Sequence, residues 1–98
     1  MTVRPIFRKA ARLEFDEAVT WYEGQRDGLG SEFVLEIDRA VQHACEAPKQ
    51  FPTALRDVRQ IRVTRFPYSI FFRLKNDRLV VLAVFHARRD PLVWRERA

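Results

Sequence analysis

The chain has 98 residues, of which 47% are hydrophobic and 32% charged, and this composition predicts one globular domain over residues 1–98 rather than a disordered chain. Its one cysteine, Cys45, excludes an intrachain disulfide and a zinc site built from thiolates, and fits a reducing compartment. No apolar run approaches the roughly 20 residues of a membrane span or resembles a signal peptide. We therefore expect a cytoplasmic protein that does not contact a membrane.

Charge is divided unevenly between the two halves of the chain. Residues 1–50 hold seven Lys and Arg against nine Asp and Glu, a net of −2, whereas residues 51–98 hold eleven against four, a net of +7. Ten of those eleven late cations are arginines, whose planar fork matches carboxylates and phosphates. The second half is therefore suited to an acidic partner or a nucleic acid, and a solvated basic face is the alternative that charge alone leaves open.

The first half predicts a strand followed by two helices. Residues 3–8 form a strand-sized segment in which Pro5 has no N–H to donate, so this strand would lie at a sheet edge or tolerate an irregularity. From Lys9, apolar residues at helical spacing predict an amphipathic helix that ends before Asp27-Gly28. A second helical pattern runs from Phe33 to Ala44. The connection is short, which indicates an antiparallel helical hairpin.

The second half predicts strands. Apolar residues alternate with polar ones around 61–64 and 68–74, and Asn76-Asp77 is a turn signal of a β-hairpin. Residues 79–86 are apolar on both alternating faces, which is typical of a central strand. Residues 92–97 predict a short terminal helix or tail. The fold class is α+β, a helical hairpin packed on one face of a mostly antiparallel sheet in the order β-α-α-β-β-β.

Few residues suggest chemistry. The chain has no phosphate-loop or dinucleotide-binding glycine pattern, and neither histidine has a carboxylate at metal-motif spacing, so we expect no metal site and no cofactor. Cys45 reads as a buried core residue, and His86 as a residue that ends a strand through a backbone hydrogen bond. Glu14, Glu17 and Glu23 are expected on an exposed helix flank, which argues against a catalytic carboxylate pair.

Aromatic residues at helical spacing are mostly expected in the core. These are Phe15, Trp21, Tyr22 and Phe33. So small a domain cannot bury every large ring, and any apolar patch left exposed would be an interaction site.

The order and spacing of several segments resemble the ParE branch of the RelE/ParE toxin superfamily over nearly the whole chain. The helical part contains Trp21-Tyr22-Glu23 and Gly28-Leu29-Gly30-Ser31-Glu32-Phe33. The strands contain Arg62-Val63-Thr64-Arg65-Phe66-Pro67-Tyr68 and Val81-Leu82-Ala83-Val84-Phe85-His86-Ala87-Arg88-Arg89-Asp90-Pro91, with Trp94 three residues later.

This resemblance implies a toxin of a type II toxin–antitoxin system, a class that includes plasmid-stabilisation systems. Its partner would be a ParD-like antitoxin with a ribbon-helix-helix DNA-binding part and a tail that wraps the toxin. ParE toxins act on DNA gyrase, whereas RelE-type relatives of the same fold cut messenger RNA on the ribosome. Direct binding of nucleic acid by this chain is left open.

The residues favour a gyrase-binding protein over an enzyme. RNA cleavage needs a base, an acid and cations that stabilise the phosphate, and after Pro91 the only aromatic is Trp94, whose indole cannot exchange a proton at neutral pH. We therefore predict no catalytic residues. Charge and position alone give the target-binding candidates, which are Arg62, Arg65, Arg73, Arg88, Arg89, Trp94 and Arg95.

Two alternatives and one partner site remain. The enzymatic alternative is a ribosome-dependent endoribonuclease that uses His86 with Arg62, Arg65 and Arg73. A third is a partner-binding protein with little toxicity. In every case we expect an acidic antitoxin segment across the helical hairpin. The antitoxin-binding candidates are Phe15, Val19, Trp21 and Tyr22.

Overall fold

A computed structural model describes residues 3–98, so Met1 and Thr2 of the predicted domain lie outside the described residues. The elements in chain order are β1 (Arg4–Phe7), α1 (Lys9–Gln25), α2 (Leu29–Glu46), a 3₁₀ turn (Pro48–Gln50), β2 (Thr53–Leu55), β3 (Val58–Arg62), β4 (Tyr68–Lys75), β5 (Arg78–His86) and α3 (Leu92–Arg95). The predicted α+β class and the helical hairpin are confirmed.

The strands form one mixed sheet in the order β1-β5-β4-β3-β2, with β1 parallel to β5 and the other neighbours antiparallel. As the sequence predicts, β1 with Pro5 is an edge strand and the apolar β5 lies inside the sheet. Pairing between β4 and β5 shifts at Leu82, because Phe71 pairs with Ala83 whereas Phe72 pairs with Val81. Leu82 is thus an extra residue in β5, a β-bulge that resets which side chains face each side.

The turn between α1 and α2 depends on two glycines and one carboxylate. Gly28 has φ +87°, a conformation that favours glycine, and a Cβ at Gly30 would lie 2.9 Å from the Val19 carbonyl oxygen. Glu23 accepts hydrogen bonds from the backbone N–H groups of both glycines, at 3.0–3.2 Å. The two helices can therefore pack closely as an antiparallel pair.

The two faces of the sheet have separate cores. The face covered by α1 and α2, here the front face, buries Phe33 and Ile37 from α2 against Phe72 and Val81 from the sheet. The opposite back face carries a smaller cluster. Its buried members are Val58, Phe71, Leu82, Ala83, Phe85 and Trp94 of α3.

The structure differs from the sequence prediction in three elements. A fifth strand, β2, was not predicted, because three residues after Pro52 are too few to show an alternating pattern. Helix α3 is four residues long and ends at Arg95 rather than Arg97. The second strand of the prediction, around residues 61–64, begins earlier, at Val58.

Candidate functional site

Helix α3 is fixed to the back face by an aromatic stack. The rings of Trp94 and Phe71 lie nearly parallel, 13° apart, with centroids separated by 3.9 Å, and Trp94 is only 4% exposed. Stacking of this kind adds about 0.5–1.5 kcal/mol to the burial of the two rings. Trp94 therefore positions the C-terminal segment, residues 87–98, and also lines the neighbouring pocket.

That pocket, of about 420 Å³, lies on the back face between the end of β5, the β3–β4 turn and α3. Three of the seven predicted target-binding residues, Arg62, Arg89 and Trp94, line it together with His86. Apolar walls and cationic rims are a combination typical of binding sites. The remaining lining residues include Gln60, Phe66, Pro67, Tyr68, Ser69, Phe71 and Phe85.

His86 is held at the pocket by its neighbours. Its Nδ1 accepts a hydrogen bond from the backbone N–H of Arg88 at 3.0 Å, and its ring meets the edge of Tyr68 with centroids 5.1 Å apart. The backbone hydrogen bond expected from the sequence is therefore present, and a neutral His86 carries its proton on Nε2. Burial raises the pKa of Tyr68, so its phenol stays protonated at neutral pH.

Glu14 on α1 ties the C-terminal segment to the helices. Its carboxylate accepts hydrogen bonds from Arg89 at 2.5 Å, from Arg97 at 2.9 Å and from the backbone N–H of Val84 at 3.1 Å. The side chain is 11% exposed. The expectation that Glu14 lies on an exposed flank is therefore wrong. Residues 82–86 of β5 extend past the end of β1 and have no partner strand on that side. Glu14 accepts the hydrogen bond of one backbone N–H in this stretch, that of Val84.

Two of the predicted target-binding arginines form ion pairs away from the pocket. Arg65 contacts Glu32 of α2 at 2.6 Å and Glu36 at 3.7 Å, and Arg73 contacts Asp57 at 2.8 Å. Two hydrogen bonds lower the pKa of Glu32, the larger effect coming from Arg65 and the smaller from Arg26. The hydrogen bond from Arg73 likewise lowers the pKa of Asp57.

The other cations of the site are exposed. Arg62, Arg88 and Arg95 form no ion pair within residues 3–98, and the Arg95 guanidinium lies 5.7 Å from the centre of the Trp94 ring. Arg89 lies 4.6 Å over the ring of Phe85 in addition to its pair with Glu14. The pocket rim and the C-terminal segment therefore present three guanidinium groups with free donors.

The four predicted antitoxin-binding residues fall into two groups. Tyr22 is buried against Phe33, and Phe15 and Val19 are partly buried beside the same core. Trp21 is 60% exposed, with its ring against the edge of Tyr22 at 5.0 Å. Of this set, Trp21 offers the largest free apolar surface.

Within residues 3–98, no group of three or more His, Cys, Asp or Glu side chains is arranged to hold a metal ion. None of the helices in this part of the chain has the length and apolar character needed to cross a membrane.

A family model of the ParE toxin of type II toxin–antitoxin systems, parDE, matches residues 6–91. The chain belongs to the ParE toxin family. A search of curated proteins finds no match. Among solved structures, a chain of the chromosomal ParDE toxin–antitoxin system from P. aeruginosa is similar, with a TM-score of 0.74 and 20% identity. The alignment covers 89% of this chain and 98% of that one, and at this identity it shows the shared fold.

Sequence reasoning missed two residues of this ParE-family toxin: Leu13, which is exposed, and Arg97, which bonds Glu14. Leu13 is 58% exposed on α1, two turns before Trp21. The spacing of eight residues between Leu13 and Trp21 places them on one helix face and could have revealed the pair. The bonding of Glu14 to Arg97 gave no such signal, because 83 residues separate them in the chain.

Proposed function

We propose that this ParE-family toxin inhibits DNA gyrase by binding it through the back-face pocket rim and the C-terminal segment. The proposal rests on three guanidiniums without an ion pair in the described residues: Arg62 lines the pocket, and Arg88 and Arg95 are chain neighbours of its lining residues Arg89 and Trp94. A preorganised cationic and aromatic surface is suited to a large anionic or mixed partner. We infer that the toxin acts in the cytoplasm, where such a target is found.

Binding is favoured over catalysis by the arrangement of the alternative catalytic set. Only His86 and Arg62 of that set line the pocket, whereas Arg65 is paired with Glu32 on the front side and Arg73 with Asp57. Phosphoryl transfer in RNA requires cations that converge on one phosphate. RNA cleavage also needs an acid and a base, and residues 92–98 contain no histidine or tyrosine that could serve as either.

The test is a gyrase supercoiling assay with purified toxin. We expect the wild type to block supercoiling and to trap cleaved DNA, and we expect R62A/R88A/R95A to need at least about ten times more protein for the same effect, as for loss of a few interface contacts. The control K9A/R12A/R56A removes three exposed charges from outside the pocket and should retain full activity. Equal activity of both variants would exclude the proposed surface.

One observation keeps a ribonuclease as the second candidate, because His86, Tyr68 and Arg62 all border the pocket at this end of the sheet, His86 and Tyr68 from the α1 side and Arg62 from the back face. In this alternative, Nε2 of His86 donates or accepts the proton and Arg62 stabilises the phosphate. A ribosome-programmed mRNA cleavage assay with the wild type and H86A tests it. Cleaved mRNA in the wild type and intact mRNA with H86A would favour the enzyme, provided that gyrase is unaffected by both.

We further propose that a ParD-like antitoxin lies across the helical hairpin and contacts Trp21 and Leu13. A parDE system implies an antitoxin partner. Exposed apolar side chains on one face of a surface helix are suited to an amphipathic segment of such a partner. Acidic residues in that segment would complement the positive charge of residues 51–98.

A further inference from the structure

Three cations stand in one row across the sheet, far along the strands from the pocket. Arg4 of β1 pairs with Arg78 of β5, and Arg78 pairs on its other side with Lys75 of β4. Strand alternation puts all three on the back face, because Phe7, Leu79 and Phe72 pack into the front core. All three are exposed.

This row is electrostatically unfavourable in the isolated protein. Neighbouring strands lie about 4.8 Å apart, and like charges directly opposite each other destabilise a sheet. None of the three forms an ion pair within residues 3–98. In contrast, Arg73, one back-face position before Lys75, is neutralised by Asp57 at 2.8 Å. The row is therefore a cationic cluster that an external anion would stabilise.

A shallow groove beside the row adds a fourth cation. Arg8 lines this groove together with Lys75 and Arg78, and its apolar lining is Ile6 and Val80. Arg8 is exposed and lies four residues after Arg4, which separates them by about 13 Å at the rise of an extended chain. The cations thus extend both across and along the strands, as the contacts of a polyanion require.

The outer edge of β1 does not favour an added peptide strand as the occupant. The backbone N–H of Arg8 donates to Val81 of β5, so the N–H groups of residues 3, 5 and 7 point away from the sheet. The N–H of Val3 is already bonded to the Cys45 carbonyl, and Pro5 has none. Only Phe7 could donate to a strand added there, so main-chain pairing with an acidic peptide would be weak.

We propose that Arg4, Arg8, Lys75 and Arg78 bind the phosphate backbone of duplex DNA. The choice of DNA rests on the proposed action on gyrase, because gyrase holds duplex DNA. The cationic row and the pocket lie on the same face of the sheet, so the toxin contacts the enzyme through the pocket rim and the DNA through the row. Backbone contacts of this kind are independent of sequence and weaken steeply with salt.

The test is a titration of purified toxin into a fluorescein-labelled DNA duplex of random sequence. Fluorescence anisotropy measures the binding at a series of KCl concentrations. We expect R4Q/R78Q to bind roughly five to ten times more weakly at low salt and to lower the slope of log affinity against log salt by about 2, one unit for each lost phosphate contact. The control R12Q/R56Q has the same net charge as R4Q/R78Q but leaves the cationic row intact, so its binding should match that of the wild type. Thermal melts check folding, and loss of the like-charge row should leave the melting temperature of R4Q/R78Q unchanged or raise it.

Three outcomes would overturn the inference. These are the absence of wild-type binding, equal losses in R4Q/R78Q and R12Q/R56Q, or binding of a polyglutamate peptide instead of the duplex through Arg4 and Arg78. The gyrase assay separates this inference from the proposed function. If the toxin inhibits gyrase but does not bind the duplex, DNA binding by the cationic row is excluded and the proposed function stands. If it binds the duplex but does not inhibit gyrase, the proposed function is excluded and DNA binding stands.

Discussion

Glu14 connects three parts of the molecule through a single carboxylate. It accepts one hydrogen bond from the backbone of β5 and three from the guanidiniums of Arg89 and Arg97. An exposed pair on the same helix, Arg12 with Asp16, contributes about 0.3–0.5 kcal/mol. The burial of Glu14 and its several charged partners make its contribution larger.

We expect E14Q to lower the free energy of unfolding by about 2 kcal/mol, a value reduced from that of a fully buried pair because Arg89 and Arg97 are partly exposed. The amide would keep one acceptor and turn its NH₂ group towards a guanidinium. Urea unfolding measures the change, with E17Q, at an exposed position of α1, as the control expected within about 0.5 kcal/mol of the wild type. Equal effects of the two substitutions would mean that the Glu14 contacts do not stabilise the fold.

At the scale of elements, an ionic cluster on α2 fixes the turn between β3 and β4. Arg65 in this turn has φ +74°, an unusual conformation for a residue with a side chain, and its guanidinium contacts Glu32 and Glu36. The next residue, Phe66, is buried against Tyr22 and Phe33. The turn that borders the pocket is therefore held by charge on its surface and by aromatic packing beneath.

This cluster predicts a pH dependence of stability. The hydrogen bonds from Arg65 and Arg26 lower the pKa of Glu32 in the folded protein, so its stabilising contribution is complete above the ordinary glutamate pKa of about 4.3 and is lost as the pH falls through the lowered value. We expect the difference in unfolding free energy between the wild type and E32Q to be constant near pH 6 and to shrink below pH 4. Urea midpoints in a pH series measure it.

The control for this pH series is D38N, which removes an exposed carboxylate of α2 that forms no ion pair within residues 3–98. Its difference from the wild type should be smaller than that of E32Q near pH 6. A difference for E32Q that stays constant down to pH 3 would contradict the assignment, because the ion pair would then not depend on the charge of Glu32.

At the scale of the whole molecule, the front and back faces have different surfaces. The helical hairpin exposes Trp21 and Leu13 on the front, whereas the back face carries the pocket, the C-terminal segment and the cationic row. The proposed antitoxin site and the proposed target site are thus different surfaces, which approach each other where Leu13 and Arg89 line one groove. An antitoxin that covers both would need a long segment.

We expect L13A/W21A to bind the cognate antitoxin at least about tenfold more weakly, because a tryptophan buried at an interface is often a hot spot that contributes about 2 kcal/mol or more. Tyr22 is left intact, since its truncation would open the front core. The control is L92A, which removes a leucine of similar exposure from α3. Isothermal titration measures the affinities, and an unchanged value for L13A/W21A would exclude this face of α1 as the antitoxin site.

The sequence by itself determined the elements whose periodicity is regular. The helices, the hairpin with its glycine turn, the edge position of β1 and the central position of β5 all follow from spacing within one element or from Pro5, because each depends on contacts between residues close in the chain. The division of charge between the halves was equally visible. The resemblance to the family also depended on such local segments in order.

Tertiary structure alone decided which charges are free. Arg65 and Arg73 looked the same as Arg62 in sequence, yet pairing with Glu32 and Asp57 removes them from the pocket. The parallel pairing of β1 with β5 likewise completes the cationic row, because it places Arg4 of the first half beside Arg78 of the second. The physical reason is that an ion pair or a strand register depends on atoms brought within a few ångströms by the fold, and a one-dimensional pattern does not record those distances.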